Sequence, residues 1–390
     1  MAISYNVCME FNEIKELDKK YSIITYPRKN LCFTHGDGNC LYDTNGRCYV
    51  DFVAGLGENC LGYKNVLLNQ AICSQADKLI NCSNLYYSEM HALLSQKLCE
   101  NSAFTKCCLS SSIWDTFLIT ATMVRKYRRA AKDNRNYLLI VTDYKSEKYN
   151  AMRSKDLHIK VCAPDINEFK AAFTDDVCAV VFLPVQVEIG VKICKFEFLL
   201  SAYAMCKAAN ALIIYDETGI GLGRTGTKFA FENYGIQPDI VMLSRGLGGG
   251  ISISAVLARG ELVDALQPSD RISSFRISSV AAAAALAVLE VLDGELEGIK
   301  YNGEYLISKL SKLSKHNFVS DIRGIGLLAG VELTPNLPAA RIVGQLENEG
   351  FLIDETANNT LRITPPFTIT VDEIDRMCDA LAAIFAKTNI

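Results

Sequence analysis

Three apolar runs in this chain end in polar groups able to do chemistry. CAVVFLPV leads to Gln186 and Glu188, ALIIY to Asp216 and Glu217, and DIVML to Ser244 and Arg245. A carboxylate at the end of an apolar strand must either be solvated by the protein or face a cationic ligand. Asp216 and Glu188 are therefore candidate acid, base or ion-binding groups, and Arg245 is a cation suited to an anion or to either carboxylate. One such residue alone reads equally well as a helix cap or a structural ion pair. Three converging strand ends favour a site.

The elements that must position these groups follow from hydrophobic periodicity. Between residues 105 and 258, short β-rich runs begin near 106, 137, 158, 178, 211, 239 and 252. Between them, WDTFLITATMVRKYRRAAK and FEFLLSAYAMCKAAN carry apolar residues at helical spacing. Continuous apolar strands alternating with helices predict an α/β fold, a mostly parallel sheet with helices on both faces and its ligands at the carboxyl ends of the strands. Upstream, HGDGNCLYDTNGRCYVDFV predicts a hairpin set turning at Gly36-Asp37-Gly38 and Asn45-Gly46. Downstream, an alanine-rich helix near 279 to 292 precedes a further helix, strands and a last helix from about Val371. The expected division is a large domain over 51–290 and a smaller α+β domain over 291–390, joined by the segment 1–50.

Composition narrows the function classes. With 390 residues, 49% hydrophobic and 22% charged, the chain has the make-up of a globular protein with a large core. A net charge of -4 gives no electrostatic reason to expect nucleic acid or an anionic membrane as a partner. The longest apolar candidate, SVAAAAALAVLEVL, is broken by Glu290 and too short to span a bilayer. No secretory signal is evident in the first residues, so a cytoplasmic location is expected. The 15 cysteines lack a CxxC pair and the 4 histidines lack HExxH spacing, so no metal site is expected. They read as reduced, mostly buried residues, with redox or metal chemistry at Cys107–Cys108 or Cys32, Cys40 and Cys48 as the lesser alternative.

The stretch from Ile213 to Gly250, IIYDETGIGLGRTGTKFAFENYGIQPDIVMLSRGLGGG, with SNLYYSE at 83, GVKICKFEFL at 190, RGIGLLAGVEL at 323 and LRITPPFTIT at 361, resembles the class III pyridoxal-phosphate aminotransferases, the acetylornithine and ornithine enzymes in particular. The resemblance runs nearly the whole chain. It implies the fold type I architecture, pyridoxal phosphate as cofactor and a dimeric state. It also implies that Asp216 pairs with the pyridine nitrogen, that Ser111, Ser112 and Ser274 lie about the phosphate, and that Arg362, Glu188 and Arg28 lie on the substrate side.

Several positions depart from the family pattern. Where the family carries its Schiff-base lysine this chain has Arg245, whose guanidinium stays protonated near neutrality and can neither form an imine nor act as a base. In the phosphate turn, Ile113 and Trp114 follow Ser112 in place of glycine and threonine. Trp114 by itself reads as a core-filling aromatic on a helix. Thr218 and Gly219 replace the valine and glutamine after the Asp-Glu pair. The stacking aromatic turn and long loop after VTD are replaced by the shorter, charged YKSEKYNAMRSKD. In SSFRISS, Arg276, Ile277 and Ser278 stand where the family has glycines and asparagine. On the substrate side, Arg362 either clamps a carboxylate or forms a fold-stabilising ion pair with Glu188.

These losses together predict an aminotransferase-like pseudoenzyme with pyridoxal phosphate not bound, or not bound covalently. Its expected role is regulation, scaffolding or sensing of an amino-acid-like or anionic small molecule, as a homodimer or as a heterodimer with an active paralogue. The alternative is an enzyme: a weak or altered transaminase moving an amino group from acetylornithine-like or ornithine-like amines to 2-oxoglutarate, or a cofactor-free activity built on Asp216, Glu188, Arg245 and Arg276.

Overall fold

A computed structural model describes residues 9–100, 102–143, 147–270, 277–357 and 359–388. The chain opens with helix α1 (Phe11–Tyr21) and three short antiparallel strands, β1 (Phe33–Asp37), β2 (Cys40–Asp43) and β3 (Cys48–Asp51). Gly38 and Gly46 take positive φ at the two turns, as the hairpin reading expects. Helices α2 (Val66–Lys78) and α3 (Glu89–Cys99) then lead into the large sheet.

That sheet has seven strands: β4 (Lys106–Ser110), β5 (Tyr137–Val141), β6 (His158–Cys162), β7 (Val177–Phe182), β10 (Leu212–Asp216), β11 (Ile240–Leu243) and β12 (Ser254–Ala258). The short β8 (Val185–Gln186) and β9 (Lys192–Ile193) pair with each other. Every apolar run picked out between 105 and 258 is one of the seven. The spatial order is β4-β12-β11-β10-β7-β5-β6, parallel except for β12, which runs antiparallel to both its neighbours. Burial explains why the runs were apolar throughout: all residues of β7, β10, β11 and β12 are buried, so neither face of these strands meets water. Helices α4 (Ile113–Ala130), α5 (Ile166–Ala172) and α6 (Phe196–Ala208) are the crossovers.

The alanine-rich helix is longer than its composition suggested. α7 runs unbroken from Ser279 to Ser311, through the expected boundary at 290/291. Its Ala281–Ala285 stretch is buried, and α2 and α3 pack against it; small side chains allow the close approach. A second antiparallel sheet, β13-β14-β17-β16, consists of β13 (Val319–Gly324), β14 (Ala329–Leu333), β16 (Asp354–Thr356) and β17 (Thr360–Ile363), with α8 (Ala339–Asn348) and α9 (Val371–Lys387) packed together beside it. Between α8 and β16, β15 (Phe351–Leu352) pairs in parallel with β3, so the two ends of the chain share one small sheet.

Candidate functional site

β10 delivers Asp216 to the carboxyl edge of the large sheet, and β11 next to it delivers Ser244 and Arg245. The loop after Asp216 joins the two strand ends, because the Arg245 N–H donates to the Thr218 carbonyl at 3.1 Å.

The Asp216 carboxylate is buried and both its oxygens are engaged. Oδ1 accepts from the Thr218 N–H at 3.0 Å and from the Thr218 hydroxyl at 2.5 Å; Oδ2 accepts from the Tyr149 phenol at 2.8 Å. Tyr149 lies in a two-turn 3-10 helix, Glu147–Met152, within the charged stretch after β5. Burial pushes its phenol well above the usual tyrosine range, and the charges of Asp216 and Glu188 push it further. Its ring meets Phe117 of α4 edge to face at 5.4 Å. Tyr149 carries no signal in the sequence: its charged neighbours point to a solvated loop, and its partner lies 67 residues further on.

Arg245 faces carboxylates. Its Nη1 lies 3.6 Å from Glu188 Oε1 and donates to the Gly219 carbonyl at 3.3 Å. Glu58, in the loop after β3, also feels the guanidinium: burial raises its carboxyl and the Arg245 charge draws it back down. Glu58 was not singled out by its sequence context. A Cβ at Gly219 would stand 3.1 Å from Glu188 Oε1, so any side chain there would displace the Glu188 carboxylate by a few tenths of an ångström. Neighbouring Glu217 has a different task from Asp216: its fully buried carboxyl accepts from the N–H groups of Ala230 and Phe231, both at 2.8 Å. Ser244 accepts from the Ser254 hydroxyl at 2.8 Å, and Gln186 accepts from Thr142 and from the Asp143 N–H.

At the start of α4, the Ser112 hydroxyl accepts from the Asp115 N–H of its own helix at 3.2 Å, as an N-cap does. The Ser111 carbonyl accepts from Ser252 at 2.8 Å. Trp114 corrects the core-filling reading: it is 50% exposed in the first turn of its helix, its ring roughly perpendicular to that of Phe117 at 6.5 Å. Ser274 and Arg276 lie outside the described residues.

The substrate-side residues are dispersed. Arg362 on β17 pairs with Asp354, its cross-strand neighbour on β16, and not with Glu188, so the expected Arg362–Glu188 pair is corrected: each has another partner. A register that sets Asp354 directly opposite Arg362 is the cause. Arg28 forms a two-bond pair with Asp18 of α1, at 2.6 and 3.1 Å, with most of its side chain in solvent, and joins none of Asp216, Glu188 or Arg245. Arg224 is wholly buried and, among the described residues, pairs with no carboxylate: it donates to the carbonyls of Leu327 and Pro365 and lies over the Phe367 ring at 4.7 Å. Among the described residues, no cluster of His, Cys, Asp or Glu could hold a metal ion, and no helix is long and apolar enough to cross a membrane.

Comparison with known proteins agrees with this architecture. The chain is 33% identical to the acetylornithine aminotransferase of Methanocaldococcus jannaschii, over 95% of this chain and 98% of that one, and 33% identical to that of Caldanaerobacter subterraneus, with the same coverage. Among solved structures, acetylornithine aminotransferase from Elizabethkingia anophelis superposes with a TM-score of 0.89 at 24% identity, covering 97% of this chain and 99% of that one. Plasmodium falciparum ornithine delta-aminotransferase gives 0.88 at 23% identity, covering 97% and 100%. The fold is fold type I of the pyridoxal-phosphate enzymes. Because the family profile of aminotransferase class-III matches residues 24–143 and 115–385, nearly the full length, this chain belongs to the class III aminotransferases, a pyridoxal-phosphate-dependent family.

Proposed function

We propose that this chain is an acetylornithine-aminotransferase-like protein that has left amino transfer behind and works by binding, as a regulatory, scaffolding or ligand-sensing subunit. Arg245 carries this reading. Amino transfer by the family route needs an amine that can lose its proton and form an imine, and a guanidinium does neither.

The residues present do not fit pyridoxal phosphate. The carboxylate that would meet the ring nitrogen already accepts from Tyr149 and Thr218, the Ser112 hydroxyl caps its own helix, and Ile113 and Trp114 stand in the turn that would cradle a phosphate. At the strand ends Arg245 lies 3.6 Å from Glu188, and its charge also acts on the Glu58 carboxyl, a mixed-charge set that supports a small zwitterionic ligand.

A protein partner is supported by an uncovered apolar surface. Leu79, Ile80, Leu85, Tyr86 and Tyr87 are exposed within one short segment, and α1 buries none of its residues. Apolar surface of this extent marks an interface, here with a second copy of the chain or with an active relative.

The competing reading, transfer of an amino group from acetylornithine-like amines to 2-oxoglutarate, draws on the names of the curated relatives and on the retained Arg362. One assay separates the two. Purified protein is incubated with pyridoxal phosphate and desalted, and separately assayed with pyridoxal phosphate, acetylornithine or ornithine, and 2-oxoglutarate; neither a borohydride-sensitive absorbance retained on the protein nor glutamate is expected. Catalytic turnover would establish the enzyme.

A further inference from the structure

We propose that Tyr149 is the resident occupant of the Asp216 seat: its phenol takes the place of a ligand's protonated ring nitrogen, and removing it opens a ring-sized site for a cationic heteroaromatic molecule. The proposal rests on the reading that the chain does not hold its family's cofactor, and explains what fills the space instead.

The ring is held on several sides. Its hydroxyl donates to Asp216 Oδ2 at 2.8 Å, its edge meets Phe117 at 5.4 Å, and it belongs to one buried apolar cluster with Met152, Leu157 and Ile140. Thr218 fixes the carboxylate from the other side, at 3.0 Å through its N–H and 2.5 Å through its hydroxyl. The acceptor and its two donor residues all lie inside the protein, so the carboxylate keeps its charge satisfied without a ligand. A hydrogen bond to a charged acceptor in this setting handicaps any competitor for Oδ2 by a factor of about 10 to 100. The seat is also selective. A ligand entering it must bring a planar apolar body for Phe117 and one polarised N–H or O–H for Asp216, as the resident phenol does, and the carboxylate's charge favours a cationic donor, a protonated pyridine or imidazole, over a neutral one.

Thermal unfolding with small ring probes tests this. In a Tyr149→Ala variant, 4-methylpyridine at mildly acidic pH should raise the melting temperature by about 2 °C or more at saturation, and toluene, of the same shape without the nitrogen, by clearly less. Replacing Asp216 by Asn in that variant should erase the preference. Wild type and Tyr149→Phe, in which the ring remains, should respond to neither probe. The proposal falls if wild type is stabilised by 4-methylpyridine as strongly as the alanine variant, or if the variant ignores both probes or prefers neither. If the alanine variant does not fold, Tyr149→Phe decides: it should melt below wild type and still exclude 4-methylpyridine, and an unchanged melting temperature or a probe response refutes the proposal. Turnover with pyridoxal phosphate by wild type would overturn the functional reading; probe binding to wild type without turnover would overturn this inference alone.

Discussion

Glu217 makes the stability of this protein depend on pH in a direction opposite to that of a salt-bridged carboxylate. Its side chain is fully buried and, among the described residues, its hydrogen-bond partners are the Ala230 and Phe231 amides, each at 2.8 Å. Those amides favour the anion, but burial outweighs them and pushes the carboxyl from 4.5 up to about 8. The folded protein therefore keeps a proton that the unfolded chain has already released above about pH 4.5. Folding stability from this group is fully present below that pH, falls as pH rises through the interval, and levels off above about pH 8. A rise of about 3.5 at about 1.36 kcal/mol per pH unit amounts to about 5 kcal/mol across the window. Glu217→Gln keeps an oxygen for the amides and removes the titration. Urea unfolding of wild type and variant, compared from mildly acidic to mildly alkaline pH, should show the wild type losing ground to the variant by about 1.4 kcal/mol per pH unit in the middle of the range. Parallel pH profiles, or a wild type that gains on the variant as pH rises, would refute the reasoning.

Restoring the amine alone should not restore the reaction: Arg245→Lys in the presence of pyridoxal phosphate should give no catalytic glutamate formation, because Ser112 and Asp216 remain engaged, and an assay for 2-oxoglutarate conversion checks it. Asp354→Asn should cost about 1–3 kcal/mol, read by urea unfolding, because it leaves the buried Arg362 guanidinium without its anion. On the proposed interface, wild type should sediment as an oligomer and Leu85→Asp with Tyr87→Asp as a folded monomer with unchanged far-ultraviolet circular dichroism, since both side chains point into solvent within the chain; sedimentation velocity checks both. Arg224→Ala should cost about 3 kcal/mol or more, through the cavity it leaves and the Leu327 and Pro365 carbonyls it strips of a donor, again by urea unfolding.

The centre of the large sheet was legible because β7, β10, β11 and β12 are buried on both faces, so these strands announced themselves as apolar runs such as CAVVFL or ALIIYD. Asp216 and Arg245 stood out for the same reason, as charges directly after such runs. What escaped was tertiary. Tyr149 has no local signature that ties it to Asp216, and Glu58 sits in a loop where a partly buried acid looks like any polar turn residue. The Arg362–Asp354 pair was within reach of the sequence, since a hairpin about the polar ETANNT stretch sets positions 354 and 362 opposite each other. A family expectation that assigned Arg362 to Glu188 hid it. Trp114 misled because its type speaks for burial, while its place in the first turn of α4 decides for exposure.

The pairing of β15 with β3 also constrains how the molecule is made. Val50 and Asp51, on a strand already paired on one side with β2, meet their second neighbouring strand only after residues 351 and 352 have been synthesised. During translation the edge of that early hairpin stays open for the passage of some three hundred residues, so the last tenth of the chain closes a sheet begun by the first. A ribosome that stalls before this point leaves behind a bulky α/β body with a sticky flank, a nascent species that invites chaperones.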